Sequence, residues 1–526
     1  MNIALQNAED LVTVSDTAPL LELAGLTKAF QSVVANRDVS LSIRPGEIHA
    51  VLGENGAGKS TLMKMIYGVL APDAGEMRWN GAPVALTSPA QARKMGIGMV
   101  FQHFSLFESL TVAENIALTV PGRVPQLAQR IREIGARFSL PVNADALVHS
   151  LSVGERQRVE IIRCLLQEPR LIIMDEPTSV LPPSGIPALF DTIRELAAQG
   201  VAVLFISHKL EEIRSLCHSA TVMRAGEVMA RVDPRDTSAS ELAHLMIGRE
   251  IPHPKRSAPK PGRDAVLELY GLSQPSDDPF GAGLHDLDLR IHPGEIVGIA
   301  GISGNGQKEL AAILSGELVL DRRRRDQIRL SGQGCGDLDA KLRRSRGLAF
   351  VPEDRNGRGS VPEMSLADNA LLTGHGQGMV RRGLIERSRV RAFAESCIRD
   401  MGVRCTGPDA EARSLSGGNL QKFIMGREIR LKPKVLVAAQ PTWGVDVGAA
   451  ALIRQQLIDL RDSGVGILVI SEELEELFEV SDRMHVLFRG RLSPALDRSE
   501  ATVSTIGDYM TGGFLPREVT NAGVPT

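Results

Sequence analysis

The sequence has few of the features that define several large classes of protein. Only 5 of its 526 residues are cysteines, and they are scattered without CxxC or Cys/His clustering. This distribution argues against a disulfide framework and a zinc site, and it fits a reducing cytoplasm. Cys397 and Cys405 are close enough in sequence to suggest a metal site, but ordinary partly buried thiols are the simpler interpretation.

Long apolar runs and an excess of basic residues are also missing. No stretch of about 18 or more uninterrupted apolar residues occurs, so we expect no membrane-spanning helix. The opening MNIALQNAEDLVTVSD is acidic and has no basic segment followed by an apolar core, so we expect no signal peptide. The formal net charge is -3, so general nucleic-acid binding is not expected.

An internal duplication organises the chain, which is too long for one typical domain. Residues 43–62 align without a gap with residues 291–310, and residues 151–178 align with residues 415–442 in the same order. Two copies of one domain explain this pattern better than a solenoid. The proline-rich, basic segment 251–264 between the copies cannot sustain a helix or strand and is interpreted as a linker.

These features predict five segments of the chain. They are a flexible N-terminal extension over residues 1–18, a first domain over 19–250, the linker over 251–264, a second domain over 265–513 and a flexible tail over 514–526.

Both copies have the pattern of an α/β fold. Short apolar runs such as EIHAVLG and RLIIMDE alternate with helical stretches such as TLMKMIYGVL. This alternation is typical of a mostly parallel sheet flanked by helices. Residues 105–150 have a mainly helical pattern and should form a helical insert on the first sheet, with residues 365–414 as the counterpart.

The segment GENGAGKST follows an apolar strand and precedes a helix, as a phosphate-binding P-loop does. Glycines in such a loop let backbone N–H groups converge on phosphate oxygens at a helix N-terminus. Lys59 would neutralise the β- and γ-phosphates, and the Ser60 hydroxyl would ligate Mg²⁺. The predicted nucleotide-binding residues are Gly53, Glu54, Asn55, Gly56, Ala57, Gly58, Lys59, Ser60 and Thr61. A glycine-rich turn without a ligand is the alternative.

An acidic pair at a strand end supplies the hydrolytic groups. The apolar run Leu171 to Met174 ends in Asp175 and Glu176. In this position Asp175 would hold Mg²⁺ and Glu176 would act as the general base for the attacking water.

Further motifs resemble those of ABC ATPases. LSVGERQ before the acidic strand, Gln102 in VFQHF and His208 in ISHKL resemble the signature, Q-loop and H-loop of that family. The resemblance implies that Gln102 senses Mg²⁺ and water while touching the transport domain, and that His208 contacts the γ-phosphate. Phe30 occupies the position of the aromatic residue that stacks on adenine in the family, although a core phenylalanine is an alternative. The expected fold is therefore two tandem P-loop ABC-type nucleotide-binding domains.

The second copy keeps this skeleton without its chemistry. Self-alignment places Gln307 opposite Lys59, Lys308 opposite Ser60, Ala439 opposite Asp175, Gln440 opposite Glu176, Glu472 opposite His208, and Glu353 roughly opposite Gln102. A glutamine amide cannot take a proton from water as a carboxylate can, and an alanine cannot hold a metal ion. The second copy is therefore predicted to be unable to hydrolyse ATP.

Head-to-tail pairing in this family implies that each ATP lies between the P-loop of one domain and the signature of the other. The intact P-loop would face the second signature LSGGN, which makes Ser416, Gly417, Gly418 and Asn419 candidate nucleotide contacts. The degraded P-loop would face LSVGE, where Val153 replaces a glycine, unless Val153 is merely a drifted loop residue. Whether the working pair comes from one chain or two, and whether the second site binds nucleotide, stays open.

The resemblance extends over about residues 21–513 and is closest to tandem ATPase subunits of bacterial importers for simple sugars and nucleosides. Its marks are GENGAGKSTLMKMIYG, VPEDR, LSGGNLQK and AAQPTWGVD, with departures at Trp443 and at Pro182-Pro183. It implies an ATP- and Mg²⁺-dependent subunit that docks on two transmembrane permease subunits at the cytoplasmic face of the inner membrane. A periplasmic or lipid-anchored binding protein would supply the solute, which the sequence does not identify.

Three other classes fit the sequence less well. Tandem ABC ATPases that act on ribosomes typically keep two hydrolytic sites and a long, charged helical linker. A DNA-repair ATPase would need zinc-binding cysteines. A purely regulatory binding module would not need Lys59, Asp175, Glu176 and His208 together.

Overall fold

The chain forms two compact units, the first over residues 1–179 and 188–248 and the second over residues 180–187 and 249–526. The computed structural model describes residues 18–30, 33–54, 56–101, 105–138, 140–151, 153–178, 181, 185–207, 209–248, 255–276 and 282–515. Within these ranges no helix combines the length and the apolar character that crossing a bilayer requires. Pro182-Pro183 and most of the predicted terminal extensions lie outside the described residues.

The first unit contains ten strands and eight α-helices among its described residues. The strands are β1 (Leu21–Phe30), β2 (Val33–Ile43), β3 (Ile48–Gly53), β4 (Ala74–Trp79), β5 (Ala82–Val84), β6 (Ile97–Val100), β7 (Leu171–Asp175), β8 (Ala202–Ile206), β9 (Ser219–Arg224) and β10 (Glu227–Val232). The helices are α1 (Lys59–Ile66), α2 (Pro89–Lys94), α3 (Val112–Ala117), α4 (Val124–Arg137), α5 (Val153–Leu165), α6 (Ile186–Ala198), α7 (Leu210–Leu216) and α8 (Ala239–Ile247).

Two sheets form the framework of the first unit. One is antiparallel with the order β2-β1-β4-β5, and the other has the order β10-β9-β3-β8-β7-β6. In the second sheet every neighbouring pair is parallel except β10 with β9. The strands β3 and β8 are buried along their whole length, as expected for parallel strands covered on both faces. Side chains of β1, β2 and α1, including Leu21, Val39, Leu62 and Ile66, fill the core beside this sheet.

The predicted helical insert of the first unit contains α3 and α4. The helix α3 begins with a capping box in which Thr111 and Glu114 satisfy each other's backbone N–H groups. The buried Asn115 accepts a hydrogen bond from the backbone nitrogen of Phe107 at 2.7 Å and donates to its carbonyl oxygen at 2.9 Å. This side chain therefore fixes the approach of the chain to the insert.

The second unit repeats this plan with additions. Its strands are β11 (Leu267–Gln274), β12 (Leu284–Ile291), β13 (Ile296–Ala300), β14 (Ile328–Leu330), β15 (Gln333–Gly334), β16 (Leu348–Val351), β17 (Val380–Arg381), β18 (Leu384–Ile385), β19 (Val435–Ala439), β20 (Gly466–Ile470), β21 (Arg483–Phe488), β22 (Arg491–Leu492) and β23 (Leu496–Asp497). Its helices are α9 (Gln307–Ser315), α10 (Ala340–Ser345), α11 (Leu366–Gly374), α12 (Arg387–Asp400), α13 (Gly417–Arg430), α14 (Val447–Asp462), α15 (Leu474–Val480) and α16 (Val503–Met510).

The sheets of the second unit match those of the first. The antiparallel sheet has the order β12-β11-β14-β15, and the larger sheet has the order β16-β19-β20-β13-β21-β22 with β23 beside β21. Asn369 holds the backbone of Val361 through two hydrogen bonds of 2.8 and 3.1 Å, as Asn115 holds Phe107 in the first unit. The duplicated α/β fold predicted from the sequence is thereby confirmed.

One element of the second insert differs from the helical expectation. The strands β17 and β18 form an antiparallel hairpin inside residues 365–414. Its two-residue turn is Arg382-Gly383, with φ angles of 49° and 81°. Two consecutive left-handed residues match the right-handed twist of a hairpin, and glycine makes this geometry accessible.

The described part of the predicted linker packs against the second unit. Arg256 forms an ion pair with Asp482 and donates to the carbonyl oxygens of Glu479 and Ser481 at 2.9 and 2.8 Å. The fully buried Arg461 pairs with Asp482 at 2.8 Å and donates to the carbonyl oxygen of Ser257 at 2.9 Å. Burial lowers the pKa of Arg256. One carboxylate therefore joins the segment to α14 and β21.

Replacing Asp482 with alanine should destabilise the second unit by about 3–5 kcal/mol, because two buried guanidinium groups would lose their shared carboxylate. Denaturant unfolding of the full chain measures the change. The matched control is Asp409→Ala, since Asp409 pairs with Arg391 at 2.6 Å on the surface, with side chains 71% and 50% exposed. Little change is expected there. Equal losses in the two variants would contradict the special role of Asp482.

Candidate functional site

The predicted P-loop connects β3 to α1 in the first unit. Gly58 directly precedes α1 with a φ of 97°. A Cβ atom at this position would lie 2.4 Å from the carbonyl oxygen of Ala35, so no other residue fits without displacing the backbone. The loop therefore needs glycine here to deliver its backbone amides at the start of the helix.

Lys59, the first residue of α1, reaches back over this loop. Its side chain is buried, with 7% of the residue exposed. The ammonium donates hydrogen bonds to the carbonyl oxygens of Gly53 at 2.7 Å and Glu54 at 3.1 Å. Burial lowers the pKa of Lys59, and the negative charges of Glu176 and Asp175 counteract that effect. The charges of the lysine and the acidic pair thus act on one another across the predicted site.

The acidic pair stands at the end of a central strand. Asp175 is the last residue of β7, and Glu176 follows it. Burial and the neighbouring charge of Glu176 raise the pKa of Asp175, while the charge of Lys59 opposes the shift. The backbone of Glu176 has a φ of 47°, in the left-handed region that residues other than glycine rarely adopt. Its N–H donates to the carbonyl oxygen of Ile206 at 2.9 Å. Such strain often marks a functional position.

Hard oxygen donors are available for a magnesium ion. Ser60 is exposed on the first turn of α1, and Asp175 is half-buried. No group of three or more His, Cys, Asp or Glu side chains in the described part of the chain could hold a metal ion by itself. Mg²⁺ is usually held by one or two protein oxygens together with nucleotide phosphates, and these residues fit that pattern.

Phe30 and the remaining P-loop residues have less defined surroundings. Phe30 ends β1 and is 44% exposed, so it is not a core residue. The ammonium of Lys28 lies 5.8 Å from its ring centroid. This exposure is compatible with the predicted stacking on adenine. Gly56 is exposed, Ala57 is buried and Thr61 is half-buried.

Several predicted site residues lie outside the described residues. They are Asn55, Gln102 and His208, together with Ser152 of the first signature. The strands that lead to two of them are described, because β6 ends two residues before Gln102 and β8 ends two residues before His208. Both strands are parallel to β7. The carboxyl ends of parallel strands share one sheet edge, where α/β proteins bind ligands.

The second signature forms the N-terminus of α13. Ser416 caps this helix, and its hydroxyl accepts hydrogen bonds from the backbone nitrogen of Asn419 at 3.5 Å and from the side-chain amide of Asn419 at 2.9 Å. A Cβ at Gly418 would lie 2.9 Å from a carboxylate oxygen of Asp446, and one at Gly417 would lie 2.6 Å from a guanidinium nitrogen of Arg355. The Asp446 side chain is held in place as the N-cap of α14, so Gly418 is closely packed inside the second unit, whereas the end of the flexible Arg355 side chain can shift away from position 417.

The degraded P-loop of the second unit satisfies itself with hydrogen bonds. Gln307, opposite Lys59, has 9% of its surface exposed. Its amide donates to the carbonyl oxygen of Ile302 at 2.9 Å and accepts from the backbone nitrogen of Asn305 at 3.1 Å. The glutamine thus keeps one hydrogen bond of the type made by Lys59, and it engages a loop amide as well.

The other replaced residues are also engaged. Gln440, opposite Glu176, accepts hydrogen bonds from the backbone nitrogen of Glu472 at 3.2 Å and from the hydroxyl of Ser471 at 3.5 Å. Burial and the charge of Glu353 raise the pKa of Glu472 to about 7, although a hydrogen bond with Ser303 opposes the shift. In the self-alignment, the carboxyl groups of Glu472 and Glu353 take the positions of His208 and Gln102.

Comparison with known proteins places this geometry in a family. The family model described as ABC transporter matches residues 36–179 and 284–443, one match in each half. The glucose import ATP-binding protein TsgD13 of Haloferax volcanii is 39% identical, with 94% of this chain and 96% of the relative covered. The guanosine import ATP-binding protein NupO of Bacillus subtilis is also 39% identical, with 94% and 97% covered.

A solved structure shares the tandem architecture at lower identity. It is the archaeal ribosome recycling factor aABCE1, solved in complex with the ribosomal stalk protein aP1. The TM-score is 0.60 over 93% of this chain and 92% of that chain, and the identity of 18% limits the likeness to the fold. The paired matches and the full-length relatives at 39% identity show that this chain belongs to the ABC transporter family.

Proposed function

We propose that the chain is the ATP-hydrolysing, energy-coupling subunit of an importer for a small polar solute, a nucleoside or a simple sugar. The observation that carries the proposal is the set of Lys59, Asp175 and Glu176, which interact electrostatically at the P-loop of the first unit. Relatives that cover 94% of this chain are import ATP-binding proteins for ribose, guanosine and other nucleosides.

The residues of the first unit divide the work of hydrolysis. The amides of the P-loop, residues 53–61, bind the phosphates at the N-terminus of α1. Lys59 neutralises charge on the β- and γ-phosphates, and Glu176 accepts a proton from the attacking water. Gln102 and His208 orient the water and the γ-phosphate, and Phe30 stacks on the adenine. The Mg²⁺ that accompanies ATP would be held by Ser60, Asp175 and Gln102, and it would neutralise phosphate charge.

The second unit, proposed to span residues 265–513, would not hydrolyse ATP. Ala439 and Gln440 stand where Asp175 and Glu176 supply the metal ligand and the base. The side-chain oxygen of Gln307 accepts a hydrogen bond from the backbone nitrogen of Asn305 in the loop. The carboxyl group of Glu472 would place negative charge close to a bound phosphate. One backbone N–H of the second loop is therefore already bonded to a side chain of the protein, and we propose that each chain binds one ATP, at the first P-loop.

The contribution of the second unit to catalysis would be its signature. We propose that Ser416, Gly417, Gly418 and Asn419 contact the ATP that is bound to the first P-loop. The exposed position of Ser416 and Gly417 at the N-terminus of α13 supports this role, because a helix N-terminus attracts phosphate.

Hydrolysis would be coupled to movement of separate permease subunits. ATP favours the closed pair of cassettes, and hydrolysis reopens it, so differential affinity for the two states drives the cycle. We propose two transmembrane permeases and a periplasmic or lipid-anchored solute-binding protein as partners, with the chain peripheral at the cytoplasmic face of the bacterial inner membrane.

Purifying the Glu176→Gln protein with ATP from its own cells and identifying two multi-span proteins would support this assignment, whereas ribosomal proteins alone would overturn it.

Replacing Glu176 with glutamine should lower the turnover of ATP by about 10²–10⁴-fold, because the only predicted general base would be lost. ATP binding should persist. Steady-state hydrolysis and equilibrium nucleotide binding measure the two properties. Substantial residual hydrolysis would show that another group activates the water.

Lys59→Ala should weaken ATP binding by about 10–100-fold, the value of one or two charge-assisted hydrogen bonds. The matched variant Gln307→Ala should leave both the affinity and the stoichiometry of one nucleotide per chain almost unchanged. A fluorescent ATP analogue titrated into each protein provides the measurement. Equal losses in the two variants would contradict the asymmetry of the two P-loops.

Ser416→Arg should reduce ATP hydrolysis by about 10-fold or more, because a long cation at the second signature would displace the phosphate contacts. Ser152→Arg, at the same position of the first signature, should have a smaller effect. Comparing the ATPase rates of the two variants tests the head-to-tail assignment, and the opposite ranking would disprove it.

A further inference from the structure

A buried carboxylate links the two catalytic segments of the first unit. Glu212 lies on α7 with 8% of its surface exposed. Its Oε2 atom accepts hydrogen bonds from the hydroxyl of Thr178 at 2.7 Å and from the hydroxyl of Ser207 at 3.1 Å. Thr178 and Ser207 are each 2% exposed. One oxygen atom thus joins the loop after β7 to the loop after β8.

The two loops carry the proposed base and the proposed γ-phosphate contact. Thr178 follows Glu176 by two residues, and Ser207 immediately precedes His208. The hydroxyl of Ser207 also accepts a hydrogen bond from the backbone nitrogen of Lys209 at 3.1 Å. The ammonium of Lys209 lies 3.4 Å from Oε1 of Glu212. Glu212 is therefore connected to the chain on both sides of His208.

The second unit contains the same arrangement beside its degraded site. Glu476 accepts hydrogen bonds from Thr442 at 2.8 Å and from Ser471 at 2.7 Å. The hydroxyl of Ser471 accepts from the backbone nitrogen of Glu473 at 3.1 Å. Burial raises the pKa of Glu476 to about 7. Gln440 and Glu472 replace the proposed catalytic groups here. Glu476 should therefore stabilise its unit as Glu212 does, but it should have no effect on hydrolysis.

We propose that Glu212 is a positioning residue for ATP hydrolysis, which sets the distance between the segment of Glu176 and the segment of His208. This inference rests on the proposed function of the first unit. Glu212 acts through the hydroxyls of Thr178 and Ser207 and does not contact the reacting atoms. Because catalysis depends on the placement of the base to within about 1 Å, losing this link reduces turnover more than nucleotide binding.

The test compares Glu212→Ala, Glu212→Gln and Glu476→Ala in the full-length protein. Glu212→Ala should lower kcat by about 10–100-fold while KM for ATP changes by no more than about threefold. Glu212→Gln should restore most of kcat, because the amide oxygen can accept both hydroxyl hydrogen bonds. Glu476→Ala should lower the melting temperature as Glu212→Ala does, yet it should keep kcat within about twofold of the parent.

A pair of isosteric substitutions provides an independent readout if Glu212→Ala does not fold. Thr178→Val removes one hydroxyl of the first link, and Thr442→Val removes its counterpart in the second unit. Only Thr178→Val should lower kcat. Equal reductions of kcat in the matched variants, or a loss carried by KM alone, would overturn the positioning role. A parent protein that does not hydrolyse ATP would instead overturn the proposed function, so the two failures are distinguishable.

Discussion

The proposed hydrolytic site depends on a balance of charges at the carboxyl edge of the first parallel sheet. Asp175 and Glu176 are adjacent and repel each other, and burial makes the ionised form of Asp175 harder to maintain. The buried Lys59 supplies the opposing charge. Its ammonium is held by the carbonyl oxygens of the P-loop, so the geometry of that loop controls the balance. The tight turn at Gly58 and the end of β7 bring these three residues close together.

The two units show which parts of a cassette belong to the fold and which belong to the chemistry. The sheet orders, the asparagine that fixes each insert and the buried glutamate after the fourth core strand are present in both. The residues that face the phosphates differ. Gln307 replaces a cation by a neutral donor, and Gln440 replaces a carboxylate while the backbone keeps a φ of 50°. The proposed catalytic side chains can therefore change while the framework stays the same, because they are not part of the apolar core.

The sequence predicted the duplicated α/β fold and the placement of the P-loop and acidic pair, because these rest on local periodicity and short motifs. Contacts between residues that are far apart in the sequence could not be predicted from these local patterns. The contact of Arg256 with Asp482 joins residues more than 200 positions apart. The sequence therefore indicated only a linker at this proline-rich segment. The hairpin at Arg382-Gly383 was missed because its strands are two residues long and lie between helices. Glu212 and Glu476 could have been found, since each stands four residues after the position of His208 or its counterpart.

The exchange of the acidic pair also bears on how the two halves can diverge. Two adjacent, half-buried carboxylates such as Asp175 and Glu176 cost stability, and a protein keeps such a pair where its function needs it. In the second unit Ala439 and Gln440 remove that repulsion. The side-chain oxygen of Gln440 accepts hydrogen bonds from the hydroxyl of Ser471 and the backbone nitrogen of Glu472. The repulsion between two adjacent carboxylates is thus absent at positions 439 and 440, although Glu353 and Glu472 still repel each other in the second unit. At these two positions the second half has therefore lost one constraint on its sequence that the first half keeps.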